Sequence, residues 1–280
     1  MKVKLFEKNI RNRFWKIFSI ISGIISFAFL FIDIPTNIKE YLAYIGVLVL
    51  IILVVIYFLI WLYANTLRNI DVDIDGSNVN IKCGDIFEQD GLKVITFNEY
   101  FDTIVDDKII SNSSLNGIFI KKFFQNNVND LDEFIRSNSV NEDITELDVV
   151  RHLGGKNVKY KLSTSLVYET FVLTAFTRFD NQNRAVLTMP EYIEFLINFW
   201  DRINRVYAQR TVSVPVFGSG ITRIKEHKNI SDEELLKIML WTFKLSEMKF
   251  KHPARLSIII HEDKIGQIDL FNLKSIELSI

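Results

Sequence analysis

The chain is poor in the residues on which metal, disulfide and triad chemistry depend. Its 280 residues include one cysteine, Cys83, and four scattered histidines, His152, His227, His252 and His261. One thiol excludes an internal disulfide framework and agrees with a reducing compartment. No His/Cys set has metal-ligand spacing, so no metal is expected, and no Ser/His/Asp arrangement can be picked out. An excess of one charge is missing too: 33 Lys and Arg stand against 34 Asp and Glu, a formal net charge of -1. The cations that do cluster lie before residue 17, which sets aside a nucleic-acid footprint. Low-complexity tracts and internal repeats are absent, and the basic start lacks the Ala-x-Ala-like site of a cleaved signal peptide, the rival reading of such a start.

Two uncharged apolar runs are present instead, Ile17 to Ile32 and Tyr41 to Tyr63. The second, 23 residues long, makes about 34 Å of helix, enough to cross a hydrocarbon core of about 30 Å. Counted from Phe14, with Lys16 snorkelling to the headgroups, the first also qualifies. Pro35 breaks the polar stretch Asp33 to Glu40 between them, so residues 1–68 read as a hairpin of antiparallel helices at about 14–32 and 41–63. Lys2, Lys4, Lys8, Arg11, Arg13 and Lys16 hold the N-terminus inside, and the hairpin returns the chain to the same side. A multi-pass protein of the inner (plasma) membrane is therefore expected, with residues 69–280 a single cytoplasmic domain. Ser19, Ser22, Gly23 and Ser26 form a small-residue stripe suited to packing within one hairpin or between protomers of a homo-oligomer.

Beyond the hairpin, strands and helices alternate. Asn78 to Lys82, Leu92 to Phe97, Val158 to Tyr160, Phe171 to Phe176, Thr211 to Phe217 and Leu256 to Ile260 read as strands. Ser114 to Phe124, Asp130 to Ile135 with an Asp130 cap, Pro190 to Tyr207 and a helix opened by a Ser231–Glu234 capping box read as helices. An α/β sandwich with ligands at the carboxyl ends of its strands follows.

Two loops at those ends carry chemistry. In Val216-Phe217-Gly218-Ser219-Gly220-Ile221-Thr222-Arg223, glycines let backbone amides converge on an anion such as a diphosphate, with Arg223 adding charge. In Gly84-Asp85-Ile86, Asp85 can accept a hydrogen bond from an exocyclic amine such as that of adenine. Each is also what an ordinary turn looks like.

In this order, the two loops resemble those of macro domains, which bind ADP-ribose. The resemblance covers about residues 78 to 265. It implies a three-layer α/β/α domain with a mixed sheet, Asp85 and Ile86 at the adenine, and Phe217, Gly218, Ser219, Gly220, Ile221 and Arg223 around the phosphates. Asn98 and Asp102 fall where the family's Asn-Ala-Ala-Asn run lies, and Ser114, Leu115, Asn116 and Gly117 where its first glycine-rich loop lies. Here the run reads Asn98-Glu99-Tyr100-Phe101-Asp102 and the loop keeps one glycine, departures that favour binding over catalysis. Glu99, Asp102, Asp106 and Asp107 suit a pocket reshaped for a cationic or hydrogen-bonding group on the distal ribose, or else a solvated loop.

A macro-like domain behind a membrane hairpin is similar to the membrane effectors of Thoeris-type antiphage defence. That resemblance implies a ligand and no cofactor. The ligand is an ADP-ribose derivative of the histidine-ADP-ribose class made by a partner TIR-domain protein, and its binding drives assembly, damage to membrane lipid, and cell death or growth arrest. A membrane-tethered ADP-ribosyl hydrolase using Asn98 and Asp102, and a passive scaffold, stand as alternatives.

Overall fold

A computed structural model of the chain describes residues 3–31, 41–220, 222–225, 229–246, 248–250 and 253–276. The chain divides into two compact units: Met1–Ile70 with Ile268–Ile280, and Asp71–Gln267.

The first unit holds helices α1 (Lys8–Ala28), α2 (Leu42–Thr66) and the short α7 (Leu270–Ile276). Tyr57, near the end of α2, stacks edge-on against Phe14, near the start of α1, with ring centroids 5.3 Å apart, so the two helices run antiparallel there. Tyr57 Oη donates to Leu5 O and Trp61 Nε1 to Val3 O. Val3, Ile10 and Ala64 are buried in this cluster.

Among the described residues one helix, Ala43–Thr66, is long and apolar enough to cross a membrane, which corrects the expectation of two such spans. The reason lies in α1 itself. It starts at Lys8 and takes Arg11, Arg13 and Lys16 into its first turns. It ends at Ala28, and Ile17 to Ala28 gives only about 18 Å of uncharged helix. The expected turn, Asp33 to Glu40, lies outside the described residues.

The second unit is built on a mixed nine-stranded sheet. Its path is β1 (Asn69–Ile74), β2 (Ser77–Cys83), β11 (Leu256–Ile260), β9 (Val212–Pro215), β3 (Leu92–Asn98), β7 (Phe171–Phe179), β8 (Ala185–Leu187) and β10 (Arg223–Ile224). The strand β6 (Ser165–Tyr168) pairs with β7 off this path, and β4 (Ile144–Glu146) and β5 (Lys159–Tyr160) form a separate ribbon. From β2 through β11, β9 and β3 to β7 every pairing is parallel, so five carboxyl ends share one edge.

Helices cover both faces, because the buried strands alternate sides. Ile95, Phe97, Leu173 and Ala175 pack against Phe119 and Phe124 of α3 (Leu115–Phe124) and Leu131 and Ile135 of α4 (Val128–Asn138). Phe176, one residue on, faces the opposite layer and meets Phe195 of α5 (Met189–Val206) at 4.8 Å. Trp200 of α5 in turn packs on Phe243 of α6 (Asp232–Leu245). Helix α4 starts two residues before the expected Asp130 cap: Asn127 is its N-cap residue and Asp130 sits in the first turn, where its charge still favours the helix dipole. The α6 box is present as read, and α5 carries a second one, Thr188 with Glu191.

Candidate functional site

The shared carboxyl edge opens into a cavity of about 700 Å³. From the end of β2 to the end of β7 is four strand spacings, roughly 19 Å at about 4.8 Å each. An elongated ligand can lie along it.

At one end Asp85 follows β2 and caps a short 3₁₀ turn, Ile86–Glu88, its Oδ1 accepting from Phe87 N at 2.8 Å. That use leaves Oδ2 for a donor on a ligand. His261, the residue after β11, stands beside this corner because Gly84 N donates to Ile260 O.

In the middle, Val216 to Gly220 leave β9 as a tight turn. Gly218 has φ +85°, a left-handed conformation that favours glycine. The turn is braced from behind: Tyr192 Oη donates to Phe217 O at 3.0 Å, and Ser219 Oγ donates to Val216 O at 2.8 Å. Burial pushes the Tyr192 phenol far up, so it remains a donor. Ser114 caps α3 by accepting from Gly117 N, and Leu115 and Asn116 in the first turn line the cavity. A helix start supplies unpaired amides and positive dipole to an anion.

At the far end Phe97 and Asn98 of β3 pair with Ala175 and Thr177 of β7, so Phe176 is an extra residue that bulges β7 beside Asn98. Asn98 Oδ1 accepts from Tyr100 N at 2.9 Å, and its Nδ2 donates to Asp102 Oδ2 at 3.1 Å. Phe179 and Asn183, from the end of β7 and the turn into β8, complete this wall.

Of the expected residues, the cavity gathers Asp85, Ile86, Asn98, Ser114, Leu115, Asn116, Phe217, Gly218, Ser219 and Gly220. Gly117 is not on its wall. A Cβ there would stand 2.1 Å from Ser111 O, so this glycine lets a helix pass close to the backbone. Ile221 lies outside the described residues, and Arg223 is described as backbone only, paired in β10 with Val186.

The acidic cluster turns mostly inward, contrary to a role on the ligand. Asp102 is buried and receives Arg151 Nη1 at 2.8 Å on both oxygens and Lys156 N at 2.7 Å. Burial pushes its carboxyl above the ordinary range, with the Lys156 amide and the Arg151 charge pulling it back. Glu99 is buried too, accepting from Phe179 N and Arg178, and burial again raises its carboxyl. Asp106 turns back on the amides of Lys108 and Ile109. Only Asp107 of the four lines the cavity. Sequence reasoning missed the wall residues Phe179, Asn183, His261 and Lys264. Among them only His261 carries a local signal, its place just after the continuous apolar strand.

The family described as Thoeris protein ThsA, Macro domain, matches residues 79–261. The curated Thoeris protein ThsA of Bacillus amyloliquefaciens (strain Y2) is 38% identical over 250 residues, covering 88% of this chain and 82% of that protein. The solved Oceanobacillus iheyensis macrodomain aligns in one mutant form with a TM-score of 0.47 and 13% identity, over 76% of this chain and 98% of that one. A match over more than half the chain, together with a relative alike across most of both sequences, shows that the chain belongs to the Thoeris ThsA macro-domain family.

Proposed function

We propose that this chain is the membrane effector of a Thoeris antiphage system, and that its macro domain senses an ADP-ribose derivative of the histidine-ADP-ribose class made by a partner TIR-domain protein. The observation that carries the reading is the order of groups along one edge: an adenine-type acceptor at Asp85, a glycine turn with a helix start for a diphosphate, then the amides of Asn98 and Asn183 for a ribose. The order follows that of the chemical groups in ADP-ribose.

Sensing is favoured over hydrolysis because Asp102, the carboxylate that would activate water, is buried and held by Arg151. In this reading α2 inserts in the membrane, residues 71–267 lie in the cytoplasm, and ligand binding selects an assembled form that disrupts the membrane. The ligand must bind that form better than the resting one, since equal binding shifts nothing.

The test uses the full chain in detergent. Titration with ADP-ribose and its histidine conjugate is expected to raise the thermal midpoint by mass action and to increase the particle mass measured by light scattering. A midpoint that stays put for every ADP-ribose derivative overturns the ligand class. Binding at constant mass overturns the assembly step, and steady turnover of the conjugate replaces the sensor with a hydrolase.

A further inference from the structure

Arg151 lies in the loop between β4 and β5, far in sequence from every cavity residue, yet its side chain is only 8% exposed. Nη1 donates to both Asp102 oxygens and, at 3.0 Å, to Lys156 O, while Nη2 donates to Asn183 Oδ1 at 2.8 Å. The guanidinium lies over the Tyr100 ring, 4.2 Å from its centroid. The loop is shaped around it: at Gly155, with φ +108°, a Cβ would stand 2.2 Å from Arg151 Nη1 and 2.8 Å from Asp102 Oδ1.

Neither Arg151 nor Asp102 is on the cavity wall, but the two asparagines they hold are. Asn98 is fixed through its bond to Asp102 Oδ2. Asn183 is fixed directly, and among the described residues its buried Nδ2 has no hydrogen-bond partner, so the bond from Arg151 selects which end of that amide points which way. One planar cation thus ties together the end of β3 and the turn after β7. A lysine ammonium offers no such fork, and it cannot hold Asp102 and Asn183 in one plane while stacked on a ring.

We infer that Arg151 is the positioning residue of the cavity's ribose end: it sets the Asn98 and Asn183 amides that recognise the hydroxyls of the sugar beyond the diphosphate. The inference rests on the ADP-ribose reading above. ADP and ADP-ribose separate the two claims, because ADP has every group of the ligand except that sugar. With the full chain in detergent, Arg151→Lys is expected to leave ADP affinity unchanged and to weaken ADP-ribose roughly three- to tenfold, the range set by the loss of one hydrogen bond. A general loosening of the fold cannot produce this split. Equal weakening of both ligands, or of neither, overturns the positioning role. Failure of ADP and ADP-ribose to bind the unaltered protein overturns the underlying reading and the inference with it. Where Arg151→Lys melts below the assay temperature, Asn183→Gly, which suits the left-handed backbone at φ +54°, carries the same comparison with the same expected selectivity.

Discussion

Gly218 and Gly220 stand two residues apart in one turn, and the space around them differs. At Gly218 the backbone is left-handed and Leu235 Cδ1 would be 3.2 Å from a Cβ, whereas at Gly220 a Cβ would meet nothing within 4 Å among the described residues. Gly218→Ala is therefore expected to cost about 1–2 kcal/mol of stability, read from denaturant melts. Gly220→Val should melt like the unaltered chain and lose nucleotide binding, because its side chain grows into the space proposed for phosphate. A Gly220→Val protein that binds normally removes the phosphate role from this turn. Asp102→Asn makes the opposite kind of change, keeping shape while leaving the Arg151 charge buried and unpaired, for a loss of about 3–5 kcal/mol. These residues differ in how far sequence discloses them. Asp85 and the glycines announce themselves because a turn's chemistry is local. Arg151 does not, because its partner Asp102 is 49 positions away and nothing around Arg151 marks it as buried.

The elements that were legible are those whose pattern is complete within their own length. Leu256–Ile260, buried throughout, reads as a central parallel strand, and the Ser231–Glu234 box announces α6. The strands β8 and β10 are three and two residues long, too short for any periodicity to show them. The first apolar run misleads for a different reason: hydropathy locates apolar residues, while the helix carrying them is set by backbone continuity from Lys8 to Ala28. The α6 box also has a functional expectation. Ser231 Oγ accepts from Glu234 N, and Leu235, next along, supports Gly218. Ser231→Ala should cost about 1 kcal/mol by thermal or denaturant melt, and should raise hydrogen exchange in 216–220 ahead of the sheet. Exchange that rises evenly across the domain would show that the cap stabilises the fold without reaching the turn.

At the scale of the whole molecule the two units present different surfaces. Residues 71–267 bury an apolar core between the sheet and two helix layers, while α2 leaves Leu48, Leu50, Val54 and Val55 exposed along its length. Water is a poor solvent for such a helix and a bilayer is a good one, since helix hydrogen bonds are satisfied within the segment. If α2 spans the membrane, two carboxylates near its middle should prevent insertion. Each aspartate there costs about 2.5–3.5 kcal/mol on insertion scales. Ile51→Asp with Val54→Asp is thus expected to move the protein out of the alkali-resistant membrane fraction. Among the described residues the cavity is lined by positions 84–264, so the released protein should still bind ADP-ribose. On the proposed mechanism toxicity should vanish with insertion, because a sensor that binds its signal away from the bilayer has nothing to disrupt. Retention of the double variant in the membrane would take the anchoring role away from α2. Release with undiminished toxicity would mean that the defence acts through the domain alone.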